Sequence, residues 1–118
     1  MKLDKGTTYT IKRDNLDEYT AAAKKLEGDG CQYVYIDLKA RNAAYLLHRA
    51  CEIAKMVKQL HDYGECIDGL KPHILIVNEC DLGVGNDTYN YQQKKNNLMS
   101  MIADTNVIFI VVRGGDNI

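Results

Sequence analysis

The sequence predicts an α/β fold: a three-layer sandwich around a mainly parallel four-stranded sheet, formed by residues 1–118 as one domain. Three observations carry that expectation. Strand-like and helix-like segments alternate in the order β-α-β-α-β-α-β, and such alternation joins parallel strands through right-handed crossovers. Two of the strand segments, His73-Ile74-Leu75-Ile76-Val77 and Val107-Ile108-Phe109-Ile110-Val111-Val112, are continuously apolar, as strands covered on both faces are. The 118 residues are 46% apolar and 26% charged, enough to bury a core without cross-links. The pattern does not encode a strand order.

Each element has its own grounds. Thr7-Thr8-Tyr9-Thr10-Ile11 is β-branched and aromatic, which suits a strand. Asp14 or Asn15 then stands where a helix cap is needed, and Glu18 lies three residues after Asn15, the spacing of a capping box. Leu16, Tyr19, Ala23 and Leu26 make an apolar stripe, and Gly28 and Gly30 end the helix. Tyr33-Val34-Tyr35-Ile36 forms the second strand, ending at Asp37.

The longest periodic segment runs from Ala40 to about Tyr63 and ends at Gly64. Ala43, Leu46, Leu47, Ala50, Ile53, Ala54, Val57 and Leu60 are its apolar face. His48 with Glu52 and Lys58 with Asp62 are spaced as pairs on a solvated face. Pro72 suits the entrance of the third strand. Asn78 to Asn90 reads as a polar, glycine-containing surface loop. A helix from Thr88 or Tyr91 to Ala103 presents Tyr91, Leu98 and Ile102 on one side, and Val107–Val112 closes the sheet. Ile74, Ile76, Ile108 and Ile110 are expected to be buried in adjacent central strands.

Fifteen Lys and Arg against sixteen Asp and Glu leave a formal charge of −1, which gives no electrostatic footing for nucleic acid or a membrane surface. Residues 1–60 carry +3 and residues 61–118 carry −4. The opening Met1-Lys2-Leu3-Asp4-Lys5-Gly6 has no apolar core of a signal peptide, and no apolar stretch approaches a membrane span, so a cytoplasmic protein is expected. Cys31, Cys51, Cys66 and Cys80 stand singly and are expected to be reduced, structural thiols. His48 and His61 are too far apart on their helix for one metal site. His73 stands alone at a strand entrance, where a solvated or capping role is expected.

In open α/β sheets ligands bind outside the carboxyl ends of the strands. Asp37-Leu38-Lys39, Asn78-Glu79-Cys80-Asp81 and Arg113 fall at that edge, so Asp37, Glu79, Asp81 and Arg113 are expected to converge. Such acids suit Mg²⁺, a hard cation that prefers oxygen ligands. The bland alternative is that strand ends need polar residues where the chain meets solvent. Cys80 between two acids is a poor nucleophile, because flanking carboxylates raise a thiol's pKa. Gly83-Val84-Gly85-Asn86-Asp87 precedes a helix and could present amides to an anion, or simply form a turn with an Asn or Asp cap. Tyr89 and Tyr91 are suited to interface contacts, although one of the pair is expected in the helix core.

The runs "YVYIDLK", "KPHILIVNECDL" and "VIFIVVRGGDNI" resemble the core of FtsK-type ATPases, the DNA translocases and type VII secretion motors, over roughly Tyr33 to Ile118. The resemblance implies a P-loop-NTPase-like or Rossmann-like sheet, with Glu79 at the place of the water-orienting catalytic Glu. The departures carry more weight. Lys12-Arg13-Asp14-Asn15 stands where a glycine-rich P-loop ending in Lys-Ser/Thr would cradle phosphates. Asn78 stands where the family has its metal-associated Asp, and an Asn brings no charge to Mg²⁺.

Two functions follow as expectations. The first is a non-catalytic protein-binding module, an adaptor or inhibitor, that takes a protein partner such as an ATPase or a second copy of itself and needs no cofactor. Its binding face would comprise Asp37, Lys39, Asp81, Asp87, Tyr89, Tyr91 and Arg113. The second is a Mg²⁺-dependent enzyme on a phosphate-containing ligand, with Asp37 and Glu79 catalytic, Asp37, Glu79 and Asp81 as metal ligands, and Arg113 or Lys39 as the clamp.

Overall fold

The two apolar runs lie side by side at the centre of the sheet. The computed structural model describes residues 1–37, 43–79 and 88–113, for 32–37, 43–44 and 88–89 the backbone alone. Strand β3 (His73–Asn78) is buried along its whole length, as is β4 (Val107–Arg113) up to its last residue. They pair in parallel, Ile74 beside Ile108 and Ile76 beside Ile110. All four isoleucines are fully buried, as their uninterrupted apolar setting predicts.

Strand β1 (Thr7–Lys12) adds in parallel to β4, and β2 (Gln32–Asp37) adds in parallel to β3, so the order is β1-β4-β3-β2. Helices α1 (Leu16–Gly28), α2 (Ala43–Asp62) and α3 (Thr88–Met101) follow the first three strands in turn. Because strand residues alternate faces, β3 and β4 feed two cores. Ile74, Ile76, Ile108, Ile110 and Val112 meet α1 through Ala23, with Leu16, Tyr19 and Leu26 packed on them. Leu75, Val77, Val107, Phe109 and Val111 meet α2 and α3 through Leu47, Ala50, Ala54, Tyr91 and Leu98.

The handedness rule accounts for this split. The chain steps from β1 to β2 across the full sheet, then returns through β3 to β4. Right-handed crossovers made in opposite directions place α1 on one face and α2 and α3 on the other.

Several local expectations need correction. No capping box forms at α1: the chain passes through a 3-10 turn, Arg13–Asn15, which holds Asn15 at φ −95°, ψ 0° with no side-chain cap bond. An Ncap side chain reaches the helix amides from extended backbone, and this turn removes that geometry. Helix α2 is described from Ala43, and Leu60 on its expected apolar face is 41% exposed. Cys51 lies in the core instead, its thiol donating to the Lys94 carbonyl at 3.4 Å.

His73 is buried rather than solvated. Burial pushes its pKa below the ordinary value, with Arg49 adding to the effect. Cys31 and Cys51 are buried free thiols with raised pKa, burial being the first cause in each, whereas Cys66 is free and exposed. Cys80 lies outside the described residues. Gly6 is required where it stands. Its φ is +70°, and a Cβ there would sit 2.9 Å from the Ala103 carbonyl oxygen. No helix among the described residues is long and apolar enough to cross a membrane.

Candidate functional site

Strand parity brings Glu79 and Arg113 together. Glu79 directly follows β3 and shares the side of Leu75 and Val77. Arg113 ends β4 on the side of Phe109 and Val111, the face that α2 and α3 cover. Helix α3 begins at this carboxyl edge and carries Tyr91 and Lys95 one turn apart on its buried side.

The four residues form one network. Tyr91 Oη donates a hydrogen bond to Glu79 Oε2. Lys95 Nζ donates to the same oxygen at 2.8 Å, and Arg113 Nε lies 3.6 Å from Oε1. The Glu79 side chain is 8% exposed and that of Lys95 12%. The ammonium also lies 5.9 Å from the centre of the Tyr91 ring. Burial, and then the hydrogen bond and charge of Glu79, hold the Tyr91 phenol far above its ordinary pKa. Tyr91 is therefore a fixed donor, and Oε2 of Glu79 accepts from two side chains while Oε1 faces the Arg113 charge.

The expected site residues fall into three groups. Glu79, Tyr91 and Arg113 meet. Tyr91 is 5% exposed and belongs to the core, so it is a support of the edge and not a docking anchor on its surface. Asp37 closes β2 in register with Asn78, one residue before Glu79, and its side chain is not among those described. The backbone of Tyr89 lies in the first turn of α3, and its side chain is likewise not among those described. Lys39, Asp81 and Asp87 lie outside the described residues, as does the Gly83–Asp87 run.

Lys95 is the member that sequence reasoning missed. It stands four residues after Tyr91 and three before Leu98, within the apolar stripe of its own helix. A lysine in a buried stripe requires a buried acid, and that was the available signal.

At the other end of the sheet, His61, Asp62 and Asp104 bring potential ligand atoms within 4.8 Å of one another. The Lys58 ammonium already lies 3.4 Å from both acids, so a cation of the protein's own balances that cluster.

In comparisons with known proteins, no family model, no curated protein and no solved structure matches this chain.

Proposed function

We propose that this protein is a non-catalytic binding module, an adaptor or inhibitor, on a P-loop-NTPase-like or Rossmann-like scaffold related to FtsK-type ATPases, and that it docks a protein partner at the carboxyl edge of its sheet. The observation that supports this most is the state of Glu79. A general base must be free to accept a proton and orient water. Here Oε2 of the carboxylate in that position accepts from both Tyr91 and Lys95, and the Arg113 guanidinium lies 3.6 Å from Oε1, so the group is already held inside a charge-balanced network. The missing P-loop at Lys12–Asn15 and the uncharged Asn78 point the same way. Arg113, 60% exposed, is the member of the network that a partner can reach.

The Mg²⁺-dependent enzyme is the competing reading. For it, Glu79 would have to leave Lys95 and join Asp37 and Asp81 around the ion. One experiment separates the two: phosphate release from ATP, with calorimetric titration of Mg²⁺ and nucleotide. The binding module shows no turnover and no Mg²⁺ heat. Steady phosphate release that disappears in Glu79→Gln would overturn it. With a partner in hand, Tyr89→Ala combined with Arg113→Ala should weaken binding and leave the melting temperature nearly unchanged.

A further inference from the structure

One long surface lies away from that edge. On α2 and the turn after it, Tyr45, Arg49, Glu52, Met56, Leu60 and Tyr63 recur three or four residues apart and are all exposed. They form one stripe on the outward face of α2, on the side away from α3 and apart from the core-facing Leu47, Ala50 and Ala54. The flank of α2 toward α3 is identified by Cys51, bound to Lys94, and by Lys58, paired with Asp104. Half-buried Leu46 and Ile53 lie on the other flank, toward β2. On that side the sheet ends: β2 has β3 as neighbour and no second strand among the described residues.

We propose that this side, the α2 stripe with the β2 edge, binds a second copy of the chain about a two-fold axis, packing α2 antiparallel on its counterpart and continuing the sheet from β2 to β2. The stripe is complementary to itself. Across a two-fold, facing residues have numbers of constant sum. An axis crossing α2 between Ala50 and Cys51 sets Arg49 beside Glu52 of the second copy and Tyr45 against Met56 of the second copy in the same register. One alignment thus pairs both the charges and the large apolar groups, twice over.

The surface available fits as well. Tyr45, Met56, Leu60 and Tyr63 are 60%, 61%, 41% and 84% exposed. The four side chains that this register pairs, Tyr45, Arg49, Glu52 and Met56, together with a six-residue strand edge bring each copy toward the ~800 Å² per partner of a stable interface. The edge invites pairing. Gln32–Asp37 contains no proline and no lysine, and its one charge is at the end, whereas β1 runs into Lys12 and Arg13. A net charge of −1 opposes self-association hardly at all.

Sedimentation velocity or light scattering on the full chain tests this. A species of twice 13.3 kDa is expected at roughly 100 μM chain. Met56→Glu should give monomer with an unchanged circular-dichroism spectrum. Arg49→Glu should raise the dissociation constant at least about tenfold, and Arg49→Glu with Glu52→Arg should restore the dimer, because the pair is only inverted. Amide exchange in residues 32–37 should slow as the dimer forms. A monomer at all concentrations would overturn the proposal. A dimer indifferent to Met56→Glu, or one that the double inversion fails to recover, would overturn it too.

Discussion

The two ends of the sheet each carry a knot of charges that ties a helix to its neighbour, and the two knots differ in burial. At the carboxyl end, Lys95 of α3 holds Glu79 at 2.8 Å, with side-chain exposures of 12% and 8%. At the amino end, Lys58 and His61 of α2 face Asp62 and Asp104 at 3.4–3.8 Å, with exposures of 37–56%. The chemistry is the same and the medium is not. Water and salt screen the exposed group, so its pairs contribute little and rearrange freely. The buried group is strongly coupled: it gains little over an apolar replacement, but loss of one partner strands a desolvated charge. An edge that must keep its shape is better braced by the second kind.

Mutations can break or sharpen that contrast. The largest effect is expected between the two ends, where no charge is involved. Ile76→Ala empties fully buried volume in a central strand and should cost about 4 kcal/mol in a denaturant titration. Next comes Lys95→Ala, which leaves Glu79 with Tyr91 and the half-exposed Arg113, at about 3 kcal/mol. Adding Glu79→Gln should recover more than half of that loss, since the stranded charge goes too. If the double variant is no more stable than Lys95→Ala, the network is not a charge-balanced unit.

Tyr91→Phe is smaller and has a pH signature. Losing the hydroxyl should cost about 1–2 kcal/mol near neutral pH. The native pKa of Tyr91 is raised above the ordinary value of 10, so its contribution is complete below pH 10 and is lost as pH climbs beyond that. Wild-type stability should therefore fall above pH 10 by up to ~1.4 kcal/mol per pH unit from this one group, and Tyr91→Phe should remove that part of the slope. Equal alkaline slopes in the two proteins would mean that the phenol is not held protonated.

How much of this could be read beforehand depended on whether the signal was local. The two apolar runs announced buried central strands, and the stripes at Leu16–Leu26 and Tyr91–Ile102 announced the helix faces that pack on them. Spacing alone carries that information. The strand order was not legible, because the β1–β4 pairing joins residues some hundred positions apart and no pattern in either strand encodes a neighbour. The convergence of Glu79 and Arg113 was foreseeable, since both end strands of one parallel sheet. Lys95 carried one local hint, its place in the stripe between Tyr91 and Leu98, but the acid that it pairs with arrives from another element, so the pairing itself was not legible. Asn15 misled for the opposite reason. Its capping signature is local, and the 3-10 turn before it overrides the signature.

The smallest expected effect belongs to the amino-end knot, and it decides whether burial is the variable that matters. Hydrogen bonding to Asp104, followed by the charge of Asp62, raises the pKa of Lys58, so the lysine is charged throughout the neutral range. Asp104→Asn removes one of its two carboxylates and leaves Asp62, itself one turn away on α2. Because the groups are exposed, water replaces the lost oxygen and the long lysine side chain reorients. The denaturant midpoint should move only slightly, and at about 1 M salt, where the Debye length falls to about 3 Å, the difference should vanish. The cost of Lys95→Ala should persist under the same conditions, since salt does not reach a pair buried between α3 and the end of β3. Midpoints for both variants at low and high salt make the measurement. If the Asp104→Asn shift matches that of Lys95→Ala and survives high salt, the amino end is clamped as firmly as the carboxyl end, and burial does not separate the two.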